Sequence, residues 1–124
     1  MKQLLVVLVV VVSICSAQSK CRGNSKIVAA CYSVHGRLSL GADTVRVRLW
    51  PEGTRRMLGV TGGPSLDDAD DPIWPESLKF NSGGDDIYGD FEVCPFTPER
   101  KGEMQMVCIE SASHLVVRHQ SFSK

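Results

Sequence analysis

The chain has 124 residues, of which 14 are lysine or arginine and 14 are aspartate or glutamate, so it is formally neutral. This length fits one ordinary domain, and a charged fraction of 23% is typical of a globular protein rather than a disordered chain or a collagen-like filament. Without an excess of lysine and arginine, the composition argues against binding to nucleic acid and to acidic lipid surfaces.

The N-terminus has the order of a secretory signal. A positively charged start precedes a nearly pure apolar run over residues 4–12, and small residues follow up to Ala17. The apolar run is too short for a membrane-spanning helix, which needs about 20 residues. We therefore predict a signal peptide over residues 1–17 and one secreted domain over residues 18–124, extracellular or, in a bacterium, periplasmic, with no membrane association after cleavage.

Four cysteines follow the predicted signal, namely Cys21, Cys31, Cys94 and Cys108. An even number in an exported chain of this size is typical of two disulfides, and the spacings lack the close pairs of a zinc site. Four cysteines allow three pairings. Because Cys94 and Cys108 are equidistant from the turn at residues 97–102, we predict that they face each other across a hairpin and form one bridge. Cys21–Cys31 is then the other bridge by elimination.

Alternating apolar and polar residues predict a chain of short strands. Strand-like patterns cover residues 27–40, 45–50, 56–60, 87–96, 103–109 and 114–119. The turn residues 41–43 between the first two predict a hairpin. With no convincing helix, the sequence favours an all-β fold, an antiparallel β-sandwich of about six to eight short strands, disulfide-bonded, with a small barrel as the alternative.

Three stretches of these strands resemble the prealbumin-like layout of transthyretin-like secreted domains and carboxypeptidase regulatory-like domains. They are VHGRL at 34–38, VRVRLW at 45–50 and GDFEV at 89–93. The resemblance implies a sandwich of about seven or eight strands and a secreted, mostly non-catalytic module. The residues of the transthyretin hormone channel have no counterparts here, so the resemblance implies a fold and no binding residues. The run at 48–60 also resembles small secreted proteins of unknown function.

Residues 61–86 form a long acidic loop, where that family has a short turn. Its central carboxylates are Asp67, Asp68, Asp70 and Asp71, and a second acidic group is Asp85, Asp86 and Asp90. Ca²⁺ takes about six to eight oxygen ligands, often from flexible loops, so the first four are candidate metal ligands. The loop lacks the EF-hand spacing, and a solvated connection is the plainer interpretation. Two alternative functions depend on this loop: a calcium-dependent adhesion or carbohydrate-binding module, and a secreted enzyme inhibitor.

The sequence has no constellation typical of an enzyme. It lacks a G-x-S-x-G nucleophile motif, and the cysteines are predicted to be oxidised. Of the three histidines, His35 lies on the polar side of its strand, while His114 and His119 flank the last predicted strand and point to opposite faces. We therefore predict a protein that is not an enzyme and holds no cofactor.

Outward-facing arginines beside a tryptophan are the candidate binding residues, namely Arg37, Arg46, Arg48 and Trp50. The alternation places them on one outer face of the predicted hairpin. Ordinary solvated arginines on an exposed sheet are the plainer interpretation, but arginine and tryptophan are common at recognition surfaces. The sequence thus predicts a secreted, disulfide-bonded, non-catalytic binding or interaction module whose partner is an unknown protein or glycan.

Overall fold

The computed structural model describes residues 20–41, 44–78 and 85–119, and the predicted signal peptide lies outside these ranges. Within them the chain forms five strands, which we number in chain order. They are β1 Tyr32–Leu40, β2 Val47–Pro51, β3 Leu58–Val60, β4 Asp85–Pro95 and β5 Gln105–His119, with a 3-10 turn over Leu66–Asp70 between β3 and β4. None of the described residues belongs to a helix that could span a membrane.

The five strands close into one barrel in the order β1-β2-β3-β5-β4. Neighbouring strands are antiparallel except β3 and β5, which run parallel. The prediction of an all-β, disulfide-bonded fold is confirmed. The strands adopt the closed arrangement that the sequence left as the alternative to a sandwich, so the opposite walls of the barrel pack across one shared core.

The last two predicted strands form one continuous strand, β5. The described residues therefore contain five strands, whereas the sequence pattern predicts six. β5 runs through residues 111–113, which separate the two strands in the sequence pattern. Two register shifts in its pairing with β4 absorb the irregularity, and His114 takes a left-handed φ of 54° near one of them. Bulges of this kind bend a strand and let it continue.

The hairpin of β1 and β2 follows the predicted alternation. Leu38 lies opposite Leu49, and Leu40 lies opposite Val47. The first pair is fully buried, as the inward positions of a half-buried strand should be. β2 begins two residues later than predicted because Val45 takes a φ of 60°, which lies outside the extended region.

Inward-facing side chains from all five strands fill the core of the barrel. The largest cluster consists of Val34, Leu38, Val47, Leu49, Leu58, Val60, Leu78, Ile87, Phe91, Val93, Val107 and Ile109. Leu78 belongs to the connection between β3 and β4, and the partly buried Trp74 packs on the same cluster. Part of the predicted acidic loop is therefore anchored to the barrel.

That connection continues along β5 beyond the end of β3 before it reaches the core. Thr61 donates its backbone N–H to the carbonyl of Val107 at 2.9 Å, and Ile109 donates to the carbonyl of Ile73 at 3.0 Å. Ile73 in turn donates to the carbonyl of Thr61. Residues 79–84 of the loop lie outside the described residues.

The four cysteines form two disulfides, but the predicted pairing is wrong. The bridges are Cys21–Cys108 and Cys31–Cys94. Cys94 and Cys108 do lie opposite each other on β4 and β5. Residues opposite in an antiparallel ladder have Cβ atoms about 4.5–5.5 Å apart, wider than the roughly 3.8 Å of a disulfide. The N-terminal arm is not paired in a strand ladder, so Cys21 and Cys31 can approach Cys108 and Cys94 closely enough to form disulfides.

Candidate functional site

A row of alternating arginines and aromatic residues crosses the outside of the barrel. Arg37 of β1 lies opposite Trp50 of β2 on one side and opposite Tyr88 of β4 on the other. The guanidinium of Arg37 stacks over the Trp50 ring at 4.9 Å from its centroid, and that of Arg118, on β5, lies 5.4 Å from the Tyr88 centroid. We call these four residues the arginine–aromatic row. It draws one side chain from each of four strands.

Each of the two guanidinium groups lies over the face of an aromatic ring. A cation over an aromatic face contributes about 0.5–1 kcal/mol at an exposed site. The Nε of Arg37 is buried and has no hydrogen-bond partner among the described residues, and an unmatched buried donor costs about 1–3 kcal/mol. The Arg37 side chain is therefore fixed in place by packing against the sheet and by the Trp50 ring, at some cost in hydrogen bonding.

Trp50 also fastens the loop between β2 and β3. Its indole Nε1 donates to the carbonyl oxygen of Thr54 at 2.6 Å. The hydroxyl of Thr54 donates to the carbonyl of Pro51 at 2.8 Å, and Gly53 supplies the left-handed φ of 77° that the turn needs. The tryptophan thus serves two purposes, because one face of the ring carries Arg37 while its edge orders the neighbouring loop.

The two other predicted binding residues do not join this row. Arg48 folds back over the β1–β2 connection, where its Nε donates to the carbonyl of Val45 at 3.1 Å and its terminal nitrogen donates to that of Thr44 at 3.3 Å. Arg46 is exposed and precedes β2 rather than lying on it. Of the four candidates, the structure brings together Arg37 and Trp50.

Sequence reasoning missed Tyr88 and Arg118. Tyr88 shares its parity with Asp90 and Glu92, so the alternation alone already points its side chain outward. The missing information is the register between strands that are far apart in the chain, since Tyr88 meets Arg37 only through the pairing of β1 with β4. A hairpin reveals its register locally, whereas a long-range pairing does not.

Next to the row, His35 is held between two carboxylates. Its Nδ1 lies 2.6 Å from an oxygen of Asp90 and its Nε2 lies 3.1 Å from an oxygen of Glu52. The second oxygen of Asp90 lies 3.0 Å from Nδ1 of His114. The hydrogen bond with Asp90, assisted by the negative charges of Asp90 and Glu52, raises the pKa of His35. The same hydrogen bond, followed by that with His114, lowers the pKa of Asp90.

The three histidines do not assemble into one site. His119 lies 2.5 Å from the nearly buried carboxylate of Asp85, away from the pair that flanks Asp90. His114 and His119 therefore have separate carboxylate partners, Asp90 and Asp85. The cluster around Asp90 can hold and exchange protons. In the hydrogen bonds described for these residues, no hydroxyl or thiol approaches either ring as a nucleophile would.

The four carboxylates proposed as calcium ligands are spread along the 3-10 turn. Asp68 accepts a hydrogen bond from the backbone N–H of Ser65 at 3.1 Å, and the Ser65 hydroxyl accepts one from the N–H of Asp67, which together form a capping box. Asp67, Asp70 and Asp71 are exposed. Within the described ranges, the one group of three metal-ligating atoms that lie within 4.8 Å of one another consists of Cys21, Cys94 and Cys108.

Those three cysteines are all engaged in disulfides, and a metal ligand must be a thiolate. The three sulfur atoms therefore lie close together because they belong to two adjacent disulfides, and they do not form a metal centre. Among the acidic residues of the described chain, Asp68 has a structural role as a cap, and Asp85 and Asp90 are engaged with histidines.

Comparisons of this chain with family models, with curated proteins and with solved structures found no match. The resemblance to prealbumin-like domains thus stays a prediction.

Proposed function

We propose that the protein is an exported, non-catalytic binding module that recognises another protein through the arginine–aromatic row. The observation that carries this proposal is the placement of two arginine–aromatic pairs side by side on the outer face of the barrel. Tryptophan, tyrosine and arginine are the residues most enriched among binding hot spots. All four side chains of the row project from strands, which hold a site more rigidly than loops do.

Export is part of the proposal. The predicted signal peptide supports it, and so do the two disulfides, because such bridges persist in oxidising compartments such as the extracellular space and the periplasm. The bridges tie the N-terminal arm to β4 and β5.

The size and charge of the row suggest the kind of surface that it recognises. Adjacent strands lie about 4.8 Å apart, so a row across four strands spans about 14 Å, which suits the centre of an interface of ordinary size. Two guanidinium groups favour carboxylates on the partner. The neighbouring His35, Asp90 and Glu52 add donors and acceptors of both signs at the rim.

A screen on arrays of extracellular proteins and of glycans tests the proposal. The labelled full chain with its disulfides formed is applied beside Arg37→Ala, Tyr88→Ala and Arg46→Ala variants. Arg46 is the matched control, because its loss removes the same charge outside the row. We expect a protein ligand whose Kd rises about tenfold or more in the two row variants and stays within about twofold in the control.

Two results would contradict the proposal. If a ligand is found whose affinity is unchanged in Arg37→Ala and Tyr88→Ala, the row is not its binding site. If the wild-type chain binds glycans and no protein, the partner class is wrong. Trp50→Ala is less informative, because it also releases the loop that Thr54 holds.

A further inference from the structure

A second surface lies where two loops meet at one end of the barrel. β3 and β5 run parallel with Leu58 opposite Gln105, so the loops that precede them end side by side. Between these loops is an open cleft of about 760 Å³. We call it the basic cleft, and its lining is Arg55, Arg56, Met57, Glu99, Arg100, Lys101, Gly102, Glu103 and Met104.

Hydrogen bonds and an ion pair fasten the two loops together. Arg56 forms an ion pair with Glu99 across the cleft at 3.2 Å and also donates to the side-chain oxygen of Gln105 at 3.1 Å. That oxygen accepts a second hydrogen bond from the hydroxyl of Tyr32 at 2.6 Å. The Gln105 amide donates to the carbonyl of Thr97 at 3.0 Å. These contacts therefore fix the two loops that line the cleft relative to each other.

The cleft carries positive charge that the protein does not neutralise. Arg56 and Glu99 balance each other, which leaves Arg55, Arg100 and Lys101 against Glu103. All three of these cations are exposed, and none has an ion-pair or hydrogen-bond partner for its side chain among the described residues. In a chain that is neutral as a whole, this is a local excess of cations that favours an anionic ligand.

Two methionines form the apolar part of the same cleft. Met57 and Met104 are half-buried, and the sulfur of Met104 lies over Gly59, where an added Cβ would approach it to 2.8 Å. Methionine is flexible and adapts to irregular shapes. A cleft lined by exposed cations and half-buried thioethers suits a ligand with charged groups on a less polar frame, such as sulfated sugar rings.

We propose that the basic cleft binds the sulfate groups of an acidic extracellular polysaccharide. Guanidinium and ammonium groups pair well with such oxyanions. Cations from two loops around an open cleft fit a chain with several anionic groups better than one enclosed ion. The choice of an extracellular polysaccharide as the polyanion rests on export of the protein, which is part of the proposed function. The site itself is separate from the arginine–aromatic row.

Binding of heparin, measured by titration calorimetry and by heparin-affinity chromatography, tests this inference. The full chain with its disulfides formed is compared with a triple variant, Arg55→Ser, Arg100→Ser and Lys101→Ser. A second triple variant, Lys20→Ser, Lys26→Ser and Arg46→Ser, loses the same charge at exposed positions outside the cleft. We expect the Kd for heparin to rise about tenfold in the cleft variant and about twofold or less in the control.

The same comparison defines the results that would overturn the inference. It fails if the wild-type chain does not bind heparin in physiological salt, or if the two triple variants lose equal affinity, since net charge alone would then explain binding. It also fails if desulfated heparin or a single-stranded DNA of equal length binds as tightly as heparin. Thermal melting of each variant confirms that it is folded. An Arg37→Ala variant should keep its heparin affinity, so failure of the row and failure of the cleft can be told apart.

Discussion

The protonation states of His35 and Asp90 are coupled, because the negative charge of Asp90 favours protonated His35 and the positive charge of His35 favours ionised Asp90. The pKa of His35 is raised, chiefly by its hydrogen bond with Asp90, from an ordinary value of 6.5. The pKa of Asp90 is lowered, chiefly by the same bond, from an ordinary value of 3.8. The two groups are both charged over the range between these values, and there the pair stabilises the fold.

The signs of the two shifts predict how stability depends on pH. A histidine whose pKa is raised on folding stabilises the protein fully below about pH 6.5 and loses this contribution as the pH rises through the folded value. Asp90 stabilises it above about pH 4 and loses this contribution as the pH falls through its lowered value. Chemical denaturation from pH 5 to pH 8 should therefore show a steeper loss of stability in the wild-type protein than in Asp90→Asn.

Titration of His35 by NMR gives the direct readout of this coupling. Its midpoint should lie above 6.5 in the wild-type protein and should fall markedly in Asp90→Asn. Glu52→Gln should lower the midpoint less, because the charge of Glu52 contributes less than the hydrogen bond with Asp90. An unchanged midpoint in Asp90→Asn would show that the bond does not form in solution.

Gly36 is a second position where one residue decides a contact between strands. It is buried on β1, and an added Cβ would collide with the carbonyl oxygen of Trp50 on β2. Gly36→Ala should therefore force β1 and β2 apart and destabilise the protein by about 1–3 kcal/mol. Gly41→Ala is the matched control, because its Cβ would meet its nearest neighbour at an ordinary 3.8 Å. Urea denaturation of both variants checks the prediction, which fails if the two lose equal stability.

At the scale of the strand, the hairpins β1–β2 and β4–β5 could be predicted, and the pairings between strands that are distant in the chain could not. Alternation and a turn signal specify which side chains face inward and which strands are neighbours along the chain. They say nothing about the parallel pairing of β3 with β5, which creates the basic cleft. Nor do they reveal the antiparallel pairing of β1 with β4, which places Tyr88 beside Arg37. The candidate site was accordingly half predicted, since Arg37 and Trp50 share the β1–β2 hairpin, while Tyr88 and Arg118 lie on β4 and β5 and join it only through the pairing of β1 with β4.

The pairing of Arg37 with Trp50 can be measured with a double-mutant cycle. Arg37→Ala, Trp50→Ala and the double variant should give a coupling energy of about 0.5–1 kcal/mol in unfolding experiments, the value of an exposed cation–π contact. A parallel cycle of Arg46→Ala with Trp50→Ala should give none, because Arg46 does not contact the ring. A coupling energy near zero in the first cycle would mean that the stack seen in the structure does not contribute to stability.

For the whole molecule, the disulfide pairing determines how far the chain is constrained. The sequence identified all four cysteines and the facing positions of Cys94 and Cys108, but the pairing depends on where the N-terminal arm crosses the barrel, which no local pattern encodes. The observed bridges join residues 87 and 63 positions apart. The predicted pairing would have closed two short loops near the turns and left the arm unattached to the barrel.

Because closing a long loop removes more entropy from the unfolded chain, each observed bridge should stabilise the fold by on the order of 4 kcal/mol. Replacing Cys21 and Cys108 by serine should therefore lower the melting temperature sharply, and replacing Cys31 and Cys94 should do so to a similar degree. Proteolysis of the unreduced protein followed by mass spectrometry should recover a peptide pair linked through Cys21 and Cys108. A linked Cys94–Cys108 pair would show instead that the arm is bridged within itself, and that result would contradict the observed pairing.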